Sequence, residues 1–190
     1  VAGTYGAAAV AAGGEVLLRG ICPSDLKVPL EEFQKAGAAV DADEENCQIR
    51  ICMRKRPLPL LIKTEPYPGF PTDLQSPFMA FLATALGTSY IEEQVFEGRF
   101  ATAKILEQMG AVIRTENQRA VIEGHYPLKG AAVNACDLRG GAALMVAALA
   151  AEGDTFIGEC HHIERGYEDI CRDMAALGAH IRWVENDFTR

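Results

Sequence analysis

The chain reads as an α/β fold of three α-β-α-β-β units, with apolar helices packed inside and sheets outside. Two observations predict it. Three Gly-Ala pairs, in Lys35-Ala-Gly37-Ala-Ala-Val40, Gln108-Met-Gly110-Ala-Val-Ile113 and Ala176-Leu-Gly178-Ala-His-Ile181, recur at near-equal spacing. Each places a glycine where a helical run gives way to a strand-like one. Each unit also contains a helix rich in small apolar residues, at Ala7 to Ala12, Ala80 to Ala85 and Ala142 to Ala151. A helix that is apolar on every side is buried on every side, so these three are expected to pack against one another.

In chain order, the first unit has a helix from the chain start to Ala12, a strand at Glu15 to Arg19 and a second helix ending before Gly37. Two strands then follow around the polar turn Asp41 to Asn46. The second unit repeats this with a helix at Asp73 to Leu86, a strand at Thr88 to Val95, a helix ending before Gly110 and strands around Thr115 to Gln118. In the third, a helix at Leu138 to Ala151 and a strand at Thr155 to Glu159 precede a helix with Tyr167, Ile170, Cys171, Met174 and Leu177 at helical spacing. A strand after Gly178 ends the pattern early. The units cover about 1–56, 57–126 and 127–190, forming one domain.

With 190 residues, 49% of them apolar, the chain can bury a substantial core. Its net charge of −8 and lack of a basic stripe argue against a nucleic-acid partner. Helices lining a ring around DNA would carry lysine and arginine where these carry alanine and leucine. The longest apolar stretches are too short to span a membrane and no charged-then-apolar leader opens the chain, which points to the cytoplasm. The start at Val1, running almost at once into a helix, reads as cut from a longer protein. Six cysteines without a C-x-x-C pair, mostly in apolar segments, suit buried reduced thiols rather than disulfides. Cys160-His161-His162 suggests metal ligands, but adjacent residues on a strand face opposite ways, so no metal site is expected.

The stretch Lys63 to Gln75 holds Pro66, Pro68, Gly69 and Pro71, a stiff approach to Thr72-Asp73-Leu74-Gln75. Thr72 and Gln75 have capping-box spacing, and Asp73 would complement the positive end of a helix dipole. Capping explains all three residues, but not so rigid an approach. A carboxylate delivered to a site explains both, and the residues alone leave the two readings open.

Three arginines occupy apparent helix starts, where a cation is mildly disfavoured: Arg99 in Phe96-Glu-Gly-Arg-Phe100, Arg139 in Asp137-Leu-Arg-Gly-Gly141, and Arg165 in His161-His-Ile-Glu-Arg-Gly-Tyr167. Each alone suits a solvated side chain or an ion pair, and Asp137 is a natural N-cap beside Arg139. Together they suit anion binding, since helix N-termini and guanidinium groups both attract carboxylates and phosphates. With Asp73 added, the pattern is one base among several anion binders.

Four ordered motifs, Tyr67-Pro-Gly-Phe-Pro-Thr-Asp-Leu-Gln75, Glu93-x-Val-Phe-Glu-x-Arg-Phe100, Asp137-Leu-Arg139 and His162-Ile-x-Arg-Gly-Tyr167, closely resemble the UDP-N-acetylglucosamine enolpyruvyl transferase family of peptidoglycan synthesis. The resemblance covers essentially the whole chain. It implies two inside-out α/β barrel domains of three units each, with the active site between them, this chain being one of the two. It also implies transfer of the enolpyruvyl group of phosphoenolpyruvate to the 3-hydroxyl of UDP-N-acetylglucosamine through a tetrahedral intermediate, with phosphate released and no cofactor. Asp73 stands at the family's proton-abstracting carboxylate, and Val95 where a backbone group touches the N-acetyl sugar. Arg99, Arg139 and Arg165 match arginines that hold phosphoenolpyruvate or close the domains over it, and Asp137 matches a site-lining carboxylate.

Two departures, Gly98 for the usual asparagine and no histidine in Ala101-Thr-Ala-Lys104, concern the packing of one helix. The proton-donor cysteine with its mobile loop, the phosphoenolpyruvate-binding lysine and most uridine contacts belong to the other domain, so this chain alone is expected to be inactive. The alternatives are a domain of the shikimate-pathway enolpyruvyl transferase and a binding module that kept the fold without catalysis. The Pro-Gly-Phe-Pro-Thr-Asp and Arg-Gly-Tyr motifs favour the cell-wall enzyme.

Overall fold

The structure, a computed structural model, describes residues 1–184. Helix α1 (Ala2–Ala12) has no polar face, and every residue from Gly3 to Ala11 is buried. Its small residues let neighbours close in, so that a Cβ on Gly6 would stand 2.8 Å from Ile51 Cδ1. Strand β1 (Glu15–Arg19), helix α2 (Lys27–Lys35) and strands β2 (Ala39–Asp43) and β3 (Gln48–Cys52) follow. The strands form an antiparallel sheet in the order β1-β3-β2. Val16 opposes Ile51 and Leu18 opposes Ile49; all four are buried, as period-2 alternation against a core requires.

The next segment holds β4 (Leu61–Lys63), α3 (Gln75–Leu82), β5 (Thr88–Glu92), α4 (Ala101–Gln108), β6 (Val112–Glu116) and β7 (Arg119–Glu123). Their sheet runs β4-β5-β7-β6, with β4 parallel to β5 and the other pairs antiparallel. Strand β4 was not expected, because three residues beyond a proline-rich stretch are too few to show an alternation. Helix α3 starts later than its sequence suggests, since Thr72–Leu74 form a 3-10 turn. It is buried along its whole length. Phe78 holds it in the core, its ring 4.7 Å from Phe33 and 4.8 Å from both Phe70 and Phe81.

The last segment comprises β8 (Leu128–Lys129), β9 (Ala132–Asn134), α5 (Leu138–Ala148), β10 (Ala151–Glu152), β11 (Phe156–Gly158), α6 (His161–Glu164) and α7 (Ile170–Ala176). β8 pairs in parallel with β10, and β9 with β11. Helix α5 therefore ends before Ala151, which the sheet takes up. Helices α1, α3 and α5 contact one another and form the centre that their alanine content predicted.

Gly37, Gly110 and Gly178 have φ of 97°, 87° and 99°, the left-handed helix caps expected of them. The strand expected after Gly178 is absent from residues 179–184. There the Ala179 and Ile181 amides bond locally, to the Met174 and Ala179 carbonyls, rather than to a neighbouring strand. The end of the third unit expected from the sequence, 185–190, lies outside the described residues. No cysteine is fully buried, correcting that expectation: Cys47 and Cys136 are exposed, the other four are half-buried, and all are free thiols. No helix among the described residues is long and apolar enough to cross a membrane.

Helix α1 is tied to α7 by the Tyr5 hydroxyl, which donates to Asp173 Oδ2 at 2.9 Å. Burial, and then the bond to Asp173, push the Tyr5 phenol well above its ordinary value of 10.0. Because the folded state favours the protonated phenol, this stabilisation is complete below pH 10 and declines as pH rises beyond it. Tyr5→Phe is expected to cost about 1 kcal/mol at neutral pH and to make the alkaline fall in stability shallower. Urea melts of both proteins on either side of the phenolic range check this. A fall of equal depth in the two would show that Tyr5 does not contribute to it.

Candidate active site

The proline-rich loop is pinned at both ends. The Glu65 amide donates to the Phe70 carbonyl at 2.9 Å and the Gly69 amide to Pro66 at 2.8 Å, while Phe70 is buried against Phe78. The 3-10 turn follows with Leu74 buried and Asp73 exposed. No capping box forms: the turn and α3 have no side-chain cap, and the Thr72 hydroxyl donates instead to Glu93 Oε2 at 2.8 Å. The Gln75 carboxamide does not reach back either; its Oε1 accepts from the Ser76 hydroxyl at 2.9 Å. The extra residues of the 3-10 turn displace both side chains from capping geometry, so the capping account of Thr72, Asp73 and Gln75 is corrected here.

Asp73 meets Arg139. Arg139 Nε donates to Asp73 Oδ1 at 2.5 Å, with the two side chains 36% and 64% exposed. A pair this open contributes at most about 1 kcal/mol, so it orients more than it stabilises. Arg139 sits in the first turn of α5, whose N-cap is Asp137; Asp137 Oδ1 accepts from the Gly140 amide at 2.7 Å. The cation at this positive helix end is thus offset by two carboxylates of its own chain. A cleft of about 100 Å³ opens here, lined by Asp73, Leu74, Leu138, Arg139, Gly166 and Tyr167 among others. The Tyr167 hydroxyl lies 2.8 Å from Thr4 Oγ1, and burial raises its pKa above the ordinary phenolic range.

Arg165 precedes two of these lining residues and is exposed, with no ion pair or side-chain hydrogen bond among the described residues. It caps the C-terminal end of α6, which corrects its expected placement at a helix start. The following helix, α7, begins only at Ile170. At a C-terminal end a cation is mildly favoured, so its placement there demands no anion. Arg99 lies in the loop before α4, its guanidinium 4.4 Å from the Phe96 ring centre. Val95 lies in the same loop, and neither residue lines the cleft. The structure therefore brings Asp73, Arg139 and the Arg165 segment together, leaves Asp137 as a cap beside them, and holds Val95 and Arg99 apart on the loop after β5.

Glu93 escaped the sequence reading although it stands in one of the quoted motifs. It is 1% exposed and accepts from both the Thr72 turn and the Val95 loop. The available signal was an acidic residue immediately after a strand of alternating exposed and buried positions. The argument against Cys160-His161-His162 as ligands also needs correction, because these residues open a helix rather than extend a strand. Cys160 turns its thiol to the Ile157 carbonyl at 3.0 Å. Glu159, His161 and His162 have ligand-type atoms within 4.8 Å of one another, and the 3.3 Å approach of His161 Nδ1 to Glu159 Oε2 accounts for one pair as an exposed polar contact.

The chain has relatives among known proteins. The chain is similar to a UDP-N-acetylglucosamine 1-carboxyvinyltransferase of Desulfofundulus thermocisternus, with 46% identity over 181 residues, 95% of this chain and 73% of that protein. It is 45% identical to UDP-N-acetylglucosamine 1-carboxyvinyltransferase 3 of Caldanaerobacter subterraneus subsp. tengcongensis over 181 residues, 95% of this chain but only 43% of that protein. The chain thus spans less than half of the second relative. Among solved structures, the enolpyruvyl transferase NikO from Streptomyces tendae superposes with a TM-score of 0.81 at 28% identity, covering 95% of this chain and 43% of that one. The profile of the EPSP synthase family (3-phosphoshikimate 1-carboxyvinyltransferase) matches residues 1–174, and with these likenesses the chain belongs to that family of enolpyruvyl transferases.

Proposed function

We propose that this chain is one domain, built of repeated units at about 1–56, 57–126 and 127–190, of a two-domain cytoplasmic enzyme of peptidoglycan precursor synthesis. The enzyme transfers the enolpyruvyl group of phosphoenolpyruvate to the 3-hydroxyl of UDP-N-acetylglucosamine. The observation that carries this reading is the exposed Asp73 carboxylate held by Arg139 at the mouth of a cleft, in a chain whose curated relatives bear that enzyme's name. Asp73 takes the proton of the sugar hydroxyl as its oxygen bonds to C2 of phosphoenolpyruvate and the double-bond electrons take a proton at C3 from the acid of the second domain. The tetrahedral intermediate then loses phosphate from C2 and a proton from C3, which restores the double bond. Arg165 and Arg139 offer guanidinium groups to the carboxylate and phosphate of phosphoenolpyruvate, and Arg99, on the loop after β5 and outside the cleft lining, serves to close the domains over it. Asp137 lines the site while capping α5, and the Val95 backbone meets the acetylated sugar. The remaining contacts come from the second domain.

The name of the matching profile also makes shikimate 3-phosphate an acceptor to test. Phosphate release from phosphoenolpyruvate by the purified full-length protein is expected with UDP-N-acetylglucosamine and not with shikimate 3-phosphate. Release with shikimate 3-phosphate alone would reverse the assignment. Release with neither would favour a binding module.

A further inference from the structure

Three separate stretches of the chain, at Thr64, at Thr72 and at Val95 with Phe96, meet at one buried carboxylate. Glu93 Oε1 accepts from the Thr64 hydroxyl at 2.8 Å and from the Val95 and Phe96 amides at 3.0 and 3.1 Å. Its Oε2 accepts from the Thr72 hydroxyl at 2.8 Å. The direction of the Thr64 bond is fixed independently, because Thr64 Oγ1 itself accepts from the Gln94 amide at 2.8 Å and so has its own proton to give. Thr64 is fully buried, and no cation pairs with Glu93 among the described residues. A carboxylate buried without a cation is tolerated only when its oxygens are filled by donors, and this one has four.

On the reading of the reaction given above, we propose that Glu93 is a positioning residue that locks the turn carrying Asp73 to the loop presenting Val95. The base and the backbone that meets the sugar then keep one spacing. Thr72 supports this. Its place just ahead of α3 suits a helix cap, yet its hydroxyl leaves the orphan amides of that helix to reach Glu93. An apolar side chain at 93 could fill the core, but it could not bridge Thr72 to the Val95 and Phe96 amides. Glu93 touches no substrate in this scheme and acts through the two turns that do.

The test uses the full-length protein and steady-state kinetics with both substrates, beside thermal melts. Thr72→Val keeps the shape and removes the hydroxyl, and is expected to lower kcat about tenfold, the consequence of a base held loosely, with Thr72→Ser restoring it. At Glu93 the length of the side chain should matter more than its charge. Glu93→Gln is expected to keep more activity than Glu93→Asp, and Thr72→Val added to Glu93→Asp should cost little more than either alone, since both break one link. If Thr72→Val fails to fold, the comparison of Glu93→Gln with Glu93→Asp still decides. A lower melting temperature with kcat and both KM values within about twofold of wild type would make the contact purely structural and overturn the proposal. So would Glu93→Asp outperforming Glu93→Gln. A wild-type protein inactive toward UDP-N-acetylglucosamine would sink the reading of the reaction and this role with it, whereas an active wild type with unaltered variants sinks this role alone.

Discussion

Asp73→Asn in the full-length protein is expected to slow turnover by about a hundredfold or more while leaving the melting temperature nearly unchanged. The rate loss is the usual scale for removing a positioned general base. Stability is spared for reasons visible in the structure. Asp73 caps neither the 3-10 turn nor α3, its side chain is 64% exposed, and the amide oxygen of asparagine can still accept from Arg139. Only one carboxylate oxygen is engaged, so Oδ2, which has no partner among the described residues, remains for a substrate hydroxyl. Phosphate release under saturating substrates, measured beside a thermal melt, separates the outcomes. An unchanged rate would remove Asp73 from the chemistry and leave it as half of a surface ion pair.

Arg165→Ala is expected to raise the KM for phosphoenolpyruvate about thirtyfold, corresponding to the loss of a charge-assisted, two-pronged hydrogen bond worth about 2 kcal/mol. The KM for the UDP-sugar should move less. The melting temperature should stay level or fall slightly, since the side chain is exposed and its charge lies at the favourable end of a one-turn helix. Had Arg165 opened a helix, its removal would instead have been mildly stabilising. A clear drop in melting temperature with both KM values intact would assign Arg165 a structural role and take it out of the site.

The central packing was legible because alanine-rich, faceless helices have one place to go, and the glycine caps because only left-handed backbone ends a helix that way so often. Short elements were not legible. β4 and β9 owe their existence to parallel pairing with β5 and β11, a long-range cause that three residues do not record. The site was half legible. Asp73 and Arg139 were recognised singly, but nothing in their spacing said that they would neutralise each other at 2.5 Å. Arg165 was misplaced because the HHIE segment forms a one-turn helix of its own, which no periodicity could announce over so few residues. Glu93 was read as part of a motif without a role, since its partners Thr64, Thr72 and the Val95 amide converge only in three dimensions.

The facelessness of α1 also bears on how the protein folds. Helix α1 contains Gly3 and Gly6, and a glycine inside a helix weakens it by about 1 kcal/mol relative to alanine. What holds α1 together is contact with α3 and α5, whose residues, Gln75–Leu82 and Leu138–Ala148, come much later in the chain. The segment is therefore a poor seed for folding. Early structure is expected from local antiparallel pairings such as β6 with β7, with α1 condensing once α3 and α5 have formed a groove to receive it. Weakening the seat of α1 should accelerate unfolding while leaving the refolding rate almost untouched.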